Sequence, residues 1–266
     1  MIQTKKHGDL EYLTADGITA AHGFTTRFGG VSGGHLSSLN LGQGRGDARE
    51  NVLENYRRLG QALGFDPHRA VLSRQIHSDI VLPVTMEHAG AGLYTPPLPD
   101  CDGLVTNTPG LALIIFTADC TPILFHDPVT GAVGACHAGW KGTAKNIAAR
   151  VVEAMVRFYG SRPEDIHAAI GPNLAQCCFE TDWDVPQALI KTYGEEVKSC
   201  IVTRGEKFHP DIKAVNELAL RRAGVTQVEI SEDCTYCQHD RFWSHRFTKG
   251  ERGSQGAVIL CQEANS

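Results

Sequence analysis

The segment 111–143 constrains the fold most, because it contains two apolar stretches joined by a short polar turn and followed by a helical pattern. The turn, residues 127–131, begins with Asp-Pro and ends with Gly, as expected for a hairpin built around a type I turn. The segment therefore predicts antiparallel strands in a sheet. Pro122 cannot donate a ladder hydrogen bond, and it predicts a sheet edge or a bulge just after Cys120.

The rest of the chain alternates between strand and helix patterns. Apolar runs predict strands at 19–25, 70–73, 80–84, 111–117, 132–137, 166–170, 225–230 and 257–261. Helices are predicted from Asp47 to Gly64, from Thr143 to Gly160, and at 184–193 and 211–223, with Asp47 and Thr143 as caps. Several strands are consecutive in sequence, so we predict an α/β class with mixed, largely antiparallel sheets. No linker is evident, which predicts one domain over residues 1–266.

Composition excludes several classes of protein. The chain has 266 residues, of which 42% are hydrophobic and 21% charged, as in a folded globular protein. Its formal charge of −5 gives no basic field for nucleic acid or an anionic membrane. No apolar run approaches the roughly 18 residues of a membrane-spanning helix, and no secretory signal is recognised. We therefore expect a cytoplasmic protein with no nucleic-acid or membrane partner.

Cys120 and His137 are the first pair of candidate metal ligands. Both registers that the 127–131 turn allows put these side chains on one sheet face, either opposite or diagonal to each other. Facing Cβ atoms lie about 4.5–5.5 Å apart, a distance that two ligands of one ion can bridge. His77, in a polar break between two apolar runs, is the candidate third ligand. Two histidines and one cysteine leave a fourth zinc position open, as in catalytic sites.

Other patterns carry weaker signals. Glycines in the turn 138–142, together with Lys141 at a helix start, suit an anion such as phosphate. The Gly-rich stretch 28–47 predicts a loop held near another part of the fold. The pair Cys234 and Cys237 has zinc-knuckle spacing without a second pair at ribbon distance, so we interpret it as structural thiols, although His239 and His245 leave a second metal site open. Residues 177–178 are predicted to lie in a loop packed on the core.

Six ordered motifs resemble a known family. They are Thr25-Thr26-Arg27-Phe28-Gly29-Gly30-Val31-Ser32, Ser38-Leu39-Asn40-Leu41-Gly42, Gln75-Ile76-His77-Ser78, Asp102-Gly103-Leu104-Val105-Thr106, Thr117-Ala118-Asp119-Cys120 and His137-Ala138-Gly139-Trp140-Lys141-Gly142. Together they resemble the family once called laccase-domain or multicopper polyphenol oxidase proteins, now described as purine nucleoside phosphorylases with adenosine deaminase activity. The likeness extends to residues 234–252.

The resemblance implies a fold and a set of site residues. The fold would be a single layered α/β/β/α domain. His77, Cys120 and His137 match the zinc-ligand positions of the family. Arg27 matches an arginine linked to activity, and Asn40 lies in a neighbouring active-site motif. Family members convert adenosine, inosine, guanosine and methylthioadenosine to a base and ribose 1-phosphate, and deaminate adenosine.

These expectations give a functional hypothesis, a zinc enzyme that acts on purine nucleosides and phosphate as a monomer or homodimer. Arg27 and Lys141 would pair with the anion, and Asp119 would act as a base or orient a ligand. Two departures from the family pattern bear on substrate preference: Lys141 replaces a more usual arginine, and His245 replaces a more usual tyrosine or phenylalanine.

Three alternatives remain open at this point. Thiolate and imidazole also bind copper, so a copper-dependent polyphenol oxidase is one. A metal-free hydrolase that uses Cys120 as nucleophile and His137 as base is another. A zinc-stabilised binding module without turnover is the third.

Overall fold

Two six-stranded sheets lie face to face in the computed structural model, which describes residues 1–262. The first sheet has the strand order β1-β2-β3-β14-β7-β4, and the second has the order β13-β10-β8-β9-β6-β5. Strands β11 and β12 form a separate hairpin. The strands are β1 (Ile2–His7), β2 (Leu10–Ala15), β3 (His22–Thr25), β4 (Ala70–Leu72), β5 (Val81–Pro83), β6 (Gly103–Thr106), β7 (Ala112–Thr117), β8 (Thr121–His126), β9 (Val133–Ala138), β10 (His167–Ile170), β11 (Ile201–Arg204), β12 (Lys207–Pro210), β13 (Gln227–Ile230) and β14 (Gln255–Leu260).

Most neighbouring strands are antiparallel. The parallel pairs are β4 with β7, β5 with β6, and β10 with β13, and each contains an edge strand of its sheet. The predicted mixed, largely antiparallel pairing is therefore confirmed. The helices are α1 (Arg49–Leu63), α2 (Trp140–Ala144), α3 (Ile147–Tyr159), α4 (Asp184–Tyr193), α5 (Ile212–Arg222) and α6 (His245–Thr248).

Apolar side chains fill three layers of core. Leu113 and Ile115 of β7 point between the sheets and pack with Leu124 and Ala135 of the second sheet. Because strand side chains alternate, Ile114 faces outward and packs under α1. Helices α3, α4 and α5 cover the outer face of the second sheet. The layered α/β/β/α arrangement is therefore confirmed. Burial of each large apolar side chain contributes about 1.5–3 kcal/mol relative to its exposure.

Helix α1 buries an apolar face but lacks the predicted cap. Of the predicted stripe of Leu53, Tyr56 and Leu63, Tyr56 and Leu63 are buried, whereas Leu53 is only partly buried. Gly64 ends the helix in the left-handed conformation with φ +76°. Asp47 does not cap the helix, since Ala48 occupies that position without a side-chain hydrogen bond. The Asp47 carboxylate instead accepts hydrogen bonds from the Ser32 hydroxyl and the Asn40 amide of the Gly-rich loop. These donors take the place of the helix N–H groups that a cap would bind.

The predicted helix from Thr143 to Gly160 is divided in two. Asn146 adopts a left-handed conformation with φ +66° between α2 and α3, and this interrupts the helical hydrogen bonds. Thr143 lies within α2 and is not a cap. Its hydroxyl donates to the Ala138 carbonyl and accepts from the Asn216 amide, so it joins α2 to the strand before it and to α5.

The hairpin of β8 and β9 has one of the two predicted registers. His126 pairs with Val133 and Pro122 with His137, which leaves Cys120 diagonal to His137 on the same face. Pro122 lies in an inner strand with regular pairing, so neither the predicted sheet edge nor the predicted bulge is found there. This is tolerated because β10 ends at Ile170, and the Pro122 carbonyl accepts from the next residue, Gly171.

Boundaries and some whole strands differ from the prediction. The strand predicted at 19–25 begins only at His22. Strands β1, β2, β6, β11 and β12 were not predicted. The predicted domain of residues 1–266 stays a prediction, and its last four residues lie outside the described ones. Within residues 1–262 no helix is long and apolar enough to cross a bilayer.

Candidate metal centre

The three predicted metal ligands meet where the chain passes between the two sheets. His77 lies in the connection from β4 of the first sheet to β5 of the second, and Cys120 lies in the connection from β7 to β8. His137 lies in β9, next to the first of these crossings. One ligand atom from each residue is within 4.8 Å of the others, so the three side chains can hold one metal ion.

Local backbone geometry brings these ligands close together. His77 has a left-handed conformation with φ +62°, and Asp119, just before Cys120, has φ +89°. Such conformations cost about 1–3 kcal/mol at residues other than glycine, and here they turn two ligands toward His137. Gly139 leaves the space between the ligands open. A Cβ there would lie 2.9 Å from His77 Nδ1 and 3.0 Å from Cys120 Sγ.

Asp102 holds two of the ligands in place. Its buried carboxylate accepts a hydrogen bond of 2.8 Å from His137 Nδ1, which leaves Nε2 for a metal. It also accepts from the backbone N–H groups of Ile76, His77 and Ser78 and from the Ser78 hydroxyl. A carboxylate behind a ligating histidine fixes its tautomer and ring orientation. Asp102 therefore sets the position of both histidines.

The charges around the ligands shift their pKa values in opposite directions. Burial opposes protonation of His137, but Cys120 and Asp102 together raise the pKa of this imidazole to about 9 in the metal-free protein. Burial and the neighbouring His137 lower the pKa of His77. Despite its burial, Asp102 has a pKa held well below the usual value by the hydrogen bonds that it accepts. A negative centre thus lies beside the three ligands, which suits a bound cation.

A cavity of about 410 Å³ opens onto the ligands, within the usual size range of small-molecule sites. His77, Cys120 and His137 all contribute to its wall. The other lining residues combine arginines with polar and apolar side chains and include no carboxylate: Gly42, Gln43, Arg45, Leu72, Ser73, Arg74, Gln75, Gly92, Pro97, Phe116, Thr117, Ala118, Arg252 and Ser254. The cavity therefore suits an anionic group beside a metal.

Arg252 is the cavity residue with the clearest capacity for a ligand. Its Nη1 donates to the Gly253 carbonyl and to Ser254 Oγ, whereas its buried Nε has no partner. Burial and the neighbouring Arg45 lower its pKa to about 10. Two guanidinium groups close together repel each other unless an anion lies between them.

Arg27 and Asn40 do not line this cavity but support its wall. Arg27 donates to backbone carbonyls and lies 4.0 Å from the centroid of the Trp243 ring. Trp243 in turn packs against Gly253, where a Cβ would lie 2.7 Å from the indole. The Asn40 amide oxygen accepts from the Gly42 and Ser254 N–H groups. Asn40 therefore connects two loops that line the cavity.

Asp119, Lys141 and His245 are also outside the cavity lining. The two carboxylate oxygens of Asp119 accept hydrogen bonds of 2.6 Å, one from Thr235 Oγ1 and the other from the Arg246 N–H. Lys141 is exposed in the five-residue helix α2, with Nζ 5.6 Å from the Trp140 ring centroid. His245 is the exposed first residue of α6. Anion binding by Lys141 and the roles of Asp119 and Arg27 stay predictions.

Three residues of the site were not selected from the sequence alone. Asp102 lies within one of the recognised motifs, and its position shortly before a buried apolar run could have pointed to it. Arg45 lies in the predicted Gly-rich loop, which does line the cavity as a loop held against the fold. Arg252 lies in a polar stretch before β14, and nothing in its local pattern distinguishes it from a surface arginine.

Fold and site together define a class of protein: a layered α/β/β/α protein with two histidines and a cysteine that can hold a metal ion at a cavity of small-molecule size. The family described as "Multi-copper polyphenol oxidoreductase laccase" matches residues 21–262. The chain belongs to this family. Curated relatives carry enzyme names that differ from this description.

A protein of Geobacillus stearothermophilus named purine nucleoside phosphorylase YlmD is 38% identical over 245 residues, which are 90% of this chain and 89% of the relative. A purine nucleoside phosphorylase of Deinococcus radiodurans is 40% identical over 250 residues, or 94% and 92% of the two chains. The crystal structure of YlmD from Geobacillus stearothermophilus matches with a TM-score of 0.93 and 36% identity, covering 98% of this chain and 99% of the other. These similarities extend over nearly the full length of each protein.

Proposed function

We propose that this chain is a zinc-dependent purine nucleoside phosphorylase that also deaminates adenosine. One observation carries the proposal: His77, Cys120 and His137 converge on a cavity whose wall contains Arg252, the buried Nε of which has no partner. Relatives at 38% and 40% identity are named purine nucleoside phosphorylases, and they match this chain over most of its length. The substrates would be purine nucleosides and inorganic phosphate.

The ligand set suits zinc. Two imidazoles and one thiolate are ordinary zinc ligands, and three protein ligands are typical of catalytic sites. The Asp102 hydrogen bond keeps His137 Nε2 free to ligate, and the ligand atoms are mutually within 4.8 Å. A bound Zn²⁺ supplies Lewis acidity and lowers the pKa of water, which is the chemistry that deamination of adenosine needs.

Phosphorolysis places a second demand on the cavity, since phosphate must lie beside C1′ of the ribose. The glycosidic C–N bond breaks, a phosphate oxygen bonds to C1′, and the proton that the phosphate gives up ends on the ring nitrogen of the departing purine. Arg252, with its free buried Nε, and the adjacent Arg45 are the groups that we expect to bind the phosphate. Guanidinium groups bind phosphate through paired, charge-assisted hydrogen bonds.

Arg27, Asn40 and Asp119 would then act by positioning. Arg27 supports Trp243 against Gly253, which adjoins Arg252. Asn40 fixes the Gly42 and Ser254 loops relative to each other. Asp119 attaches the segments around Thr235 and Arg246 to the backbone next to Cys120. Lys141 is close enough to His77 to affect its pKa, and we propose that it adds positive charge near the ligands.

Replacement of Cys120 and, separately, His137 with alanine tests the proposal. Bound zinc and the phosphate-dependent conversion of inosine to hypoxanthine and ribose 1-phosphate should fall together, while circular dichroism reports an intact fold. Cys200→Ser, a change at a cysteine outside the ligand set, is the matched control and should retain both. Adenosine incubated with and without phosphate separates adenine formation from inosine formation.

Other outcomes would favour the alternatives. Full turnover by the Cys120→Ala protein would remove the metal ligands from the mechanism. Copper in the purified protein, with phenol oxidation and no nucleoside turnover, would support an oxidase. Alkylation of Cys120 by a substrate analogue in the presence of a chelator would support a metal-free hydrolase. Unfolding on chelation, without turnover of any nucleoside, would indicate a binding module.

A further inference from the structure

Four cysteines form a second cluster, in loops that follow two strands of the sheet that also contains His137. Cys177 and Cys178 lie in the connection that follows β10, and Cys234 and Cys237 lie in the connection that follows β13. Strands β10 and β13 are parallel neighbours, so the segments that leave their carboxyl ends begin at the same edge of the sheet. The four sulfur atoms all lie within 4.8 Å of one another.

The sulfur distances fit coordination of a metal. Cys178 Sγ lies 3.4 Å from Cys237 Sγ, and Cys177 Sγ lies 3.8 Å from the same atom. A disulfide requires about 2.05 Å between sulfurs, and all four residues are free thiols here. A tetrahedral ion with Zn–S bonds of about 2.3 Å places its sulfurs about 3.8 Å apart. These two sulfur–sulfur distances lie within about 0.4 Å of that value and the others do not exceed 4.8 Å, so the four sulfurs can share one zinc ion.

A buried cationic side chain lies beside the cluster. Lys213 is buried, at 6% exposure, and its ammonium group donates to the Ser231 and Asp233 carbonyls beside the cluster. A buried ammonium without a carboxylate in direct contact is costly in isolation. Anionic sulfurs nearby would offset its charge.

We propose that Cys177, Cys178, Cys234 and Cys237 form a second, structural Zn²⁺ site. Binding would replace the four thiol protons, which are released to solvent, and would leave a complex of charge −2 that the Lys213 ammonium partly balances. Four protein sulfurs fill the coordination shell, as in structural zinc sites, whereas the His77, Cys120 and His137 set leaves a position open. This inference is independent of the proposed catalytic activity.

The site would clamp two segments that support the metal centre. The Thr235 N–H donates to the Asn173 carbonyl, and the Thr235 hydroxyl donates to the Asp119 carboxylate. The Leu174 N–H donates to the Asp119 carbonyl. Both cysteine-bearing connections thus contact Asp119, the residue before Cys120. A zinc ion between them would hold this side of the metal centre in place.

Cobalt substitution in the Cys120→Ala protein tests the proposal with the first site disabled. Purified wild-type protein should contain two zinc ions per chain, and the Cys120→Ala protein should contain one. Cobalt in the Cys120→Ala protein should give the strong thiolate-to-cobalt charge-transfer absorption of a four-sulfur site. Cys177→Ser and Cys237→Ser change exposed side chains and should weaken that absorption, whereas Cys200→Ser, the matched control, should not.

Three results would overturn the proposal. The first is a Cys120→Ala protein, folded by circular dichroism, that binds no zinc or cobalt tightly. The second is a cobalt spectrum that does not change when Cys177 or Cys237 is replaced. The third is the presence of disulfides among these cysteines in freshly purified protein, detected as a mass two hydrogens lower for each disulfide. None of these results depends on nucleoside turnover, so failure here is distinguishable from failure of the proposed enzyme function.

Discussion

Asp102→Asn should weaken metal binding although Asp102 is not one of the metal ligands. The carboxylate accepts two hydrogen bonds at Oδ1, from the His77 N–H and His137 Nδ1, and three at Oδ2, from Ile76 and Ser78. An asparagine amide has one acceptor oxygen instead of two. If that oxygen takes the Oδ2 position, it keeps three donors satisfied, but the two donors at the Oδ1 position then face an NH₂ group. Both of those donors belong to proposed metal ligands, His77 and His137.

The size of the effect follows from these hydrogen bonds. Each buried donor left without an acceptor costs about 1–3 kcal/mol, so the free energy of unfolding of the metal-free protein should fall by about 2–6 kcal/mol. Loss of a hydrogen-bond partner behind a ligating histidine typically weakens metal affinity about 10- to 100-fold. Urea unfolding measures the first quantity, and competition with a chromophoric zinc chelator measures the second.

Asp127→Asn is the matched control. Asp127 is also a fully buried carboxylate, but it accepts from Val129 and Thr130 in the hairpin turn, away from the ligands. Its replacement should lower stability and leave zinc affinity unchanged. Zinc affinity of the Asp102→Asn protein within about twofold of wild type, or an equal loss of affinity in Asp127→Asn, would contradict this role of Asp102.

Two further predictions concern phosphate binding and acid stability. Arg252→Gln should raise the KM for phosphate about 10- to 100-fold, since a charge-assisted hydrogen bond contributes about 1.5–3 kcal/mol; steady-state kinetics measure this, and the surface variant Arg57→Gln should match wild type. Burial and His167 lower the pKa of His126 to about 4. Between about pH 4 and 6.5 the unfolded chain therefore binds more protons than the folded protein does. The free energy of unfolding should fall by up to about 3 kcal/mol as the pH drops through this window. His126→Gln should flatten that dependence in urea unfolding at pH 7.5 and 5, and an unchanged dependence would contradict the assignment.

Local sequence patterns predicted the central hairpin and several helices well. The Asp-Pro and Gly ends of the turn limited the register to two choices, and one of them is observed, with Cys120 and His137 on one face. Helix α4 matches its predicted span, and Asp211 caps α5 through a hydrogen bond from the Ala214 N–H. These features depend on residues close together in the chain, which is why the sequence alone predicts them.

Features that depend on tertiary contacts were missed. Strand β1 is exposed along most of its length and carries no apolar alternation; it forms through pairing with β2. The second cysteine cluster depends on β10 and β13 becoming parallel neighbours, so the Cys177 and Cys234 pairs gave no sequence-local sign of proximity. Arg252 likewise becomes a cavity residue only after β14 joins the first sheet.

Because the candidate ligands lie at the crossings between the two sheets, the amount of folded protein should depend on the concentration of available metal. His77, Cys120 and His137 converge only when both sheets are assembled, so an ion held by all three distinguishes the native chain from the denatured one. Free metal at 100 times its dissociation constant would add about 2.7 kcal/mol to the stability of the native state. Cells starved of the metal would therefore hold less of this protein, because proteases remove chains that unfold more often.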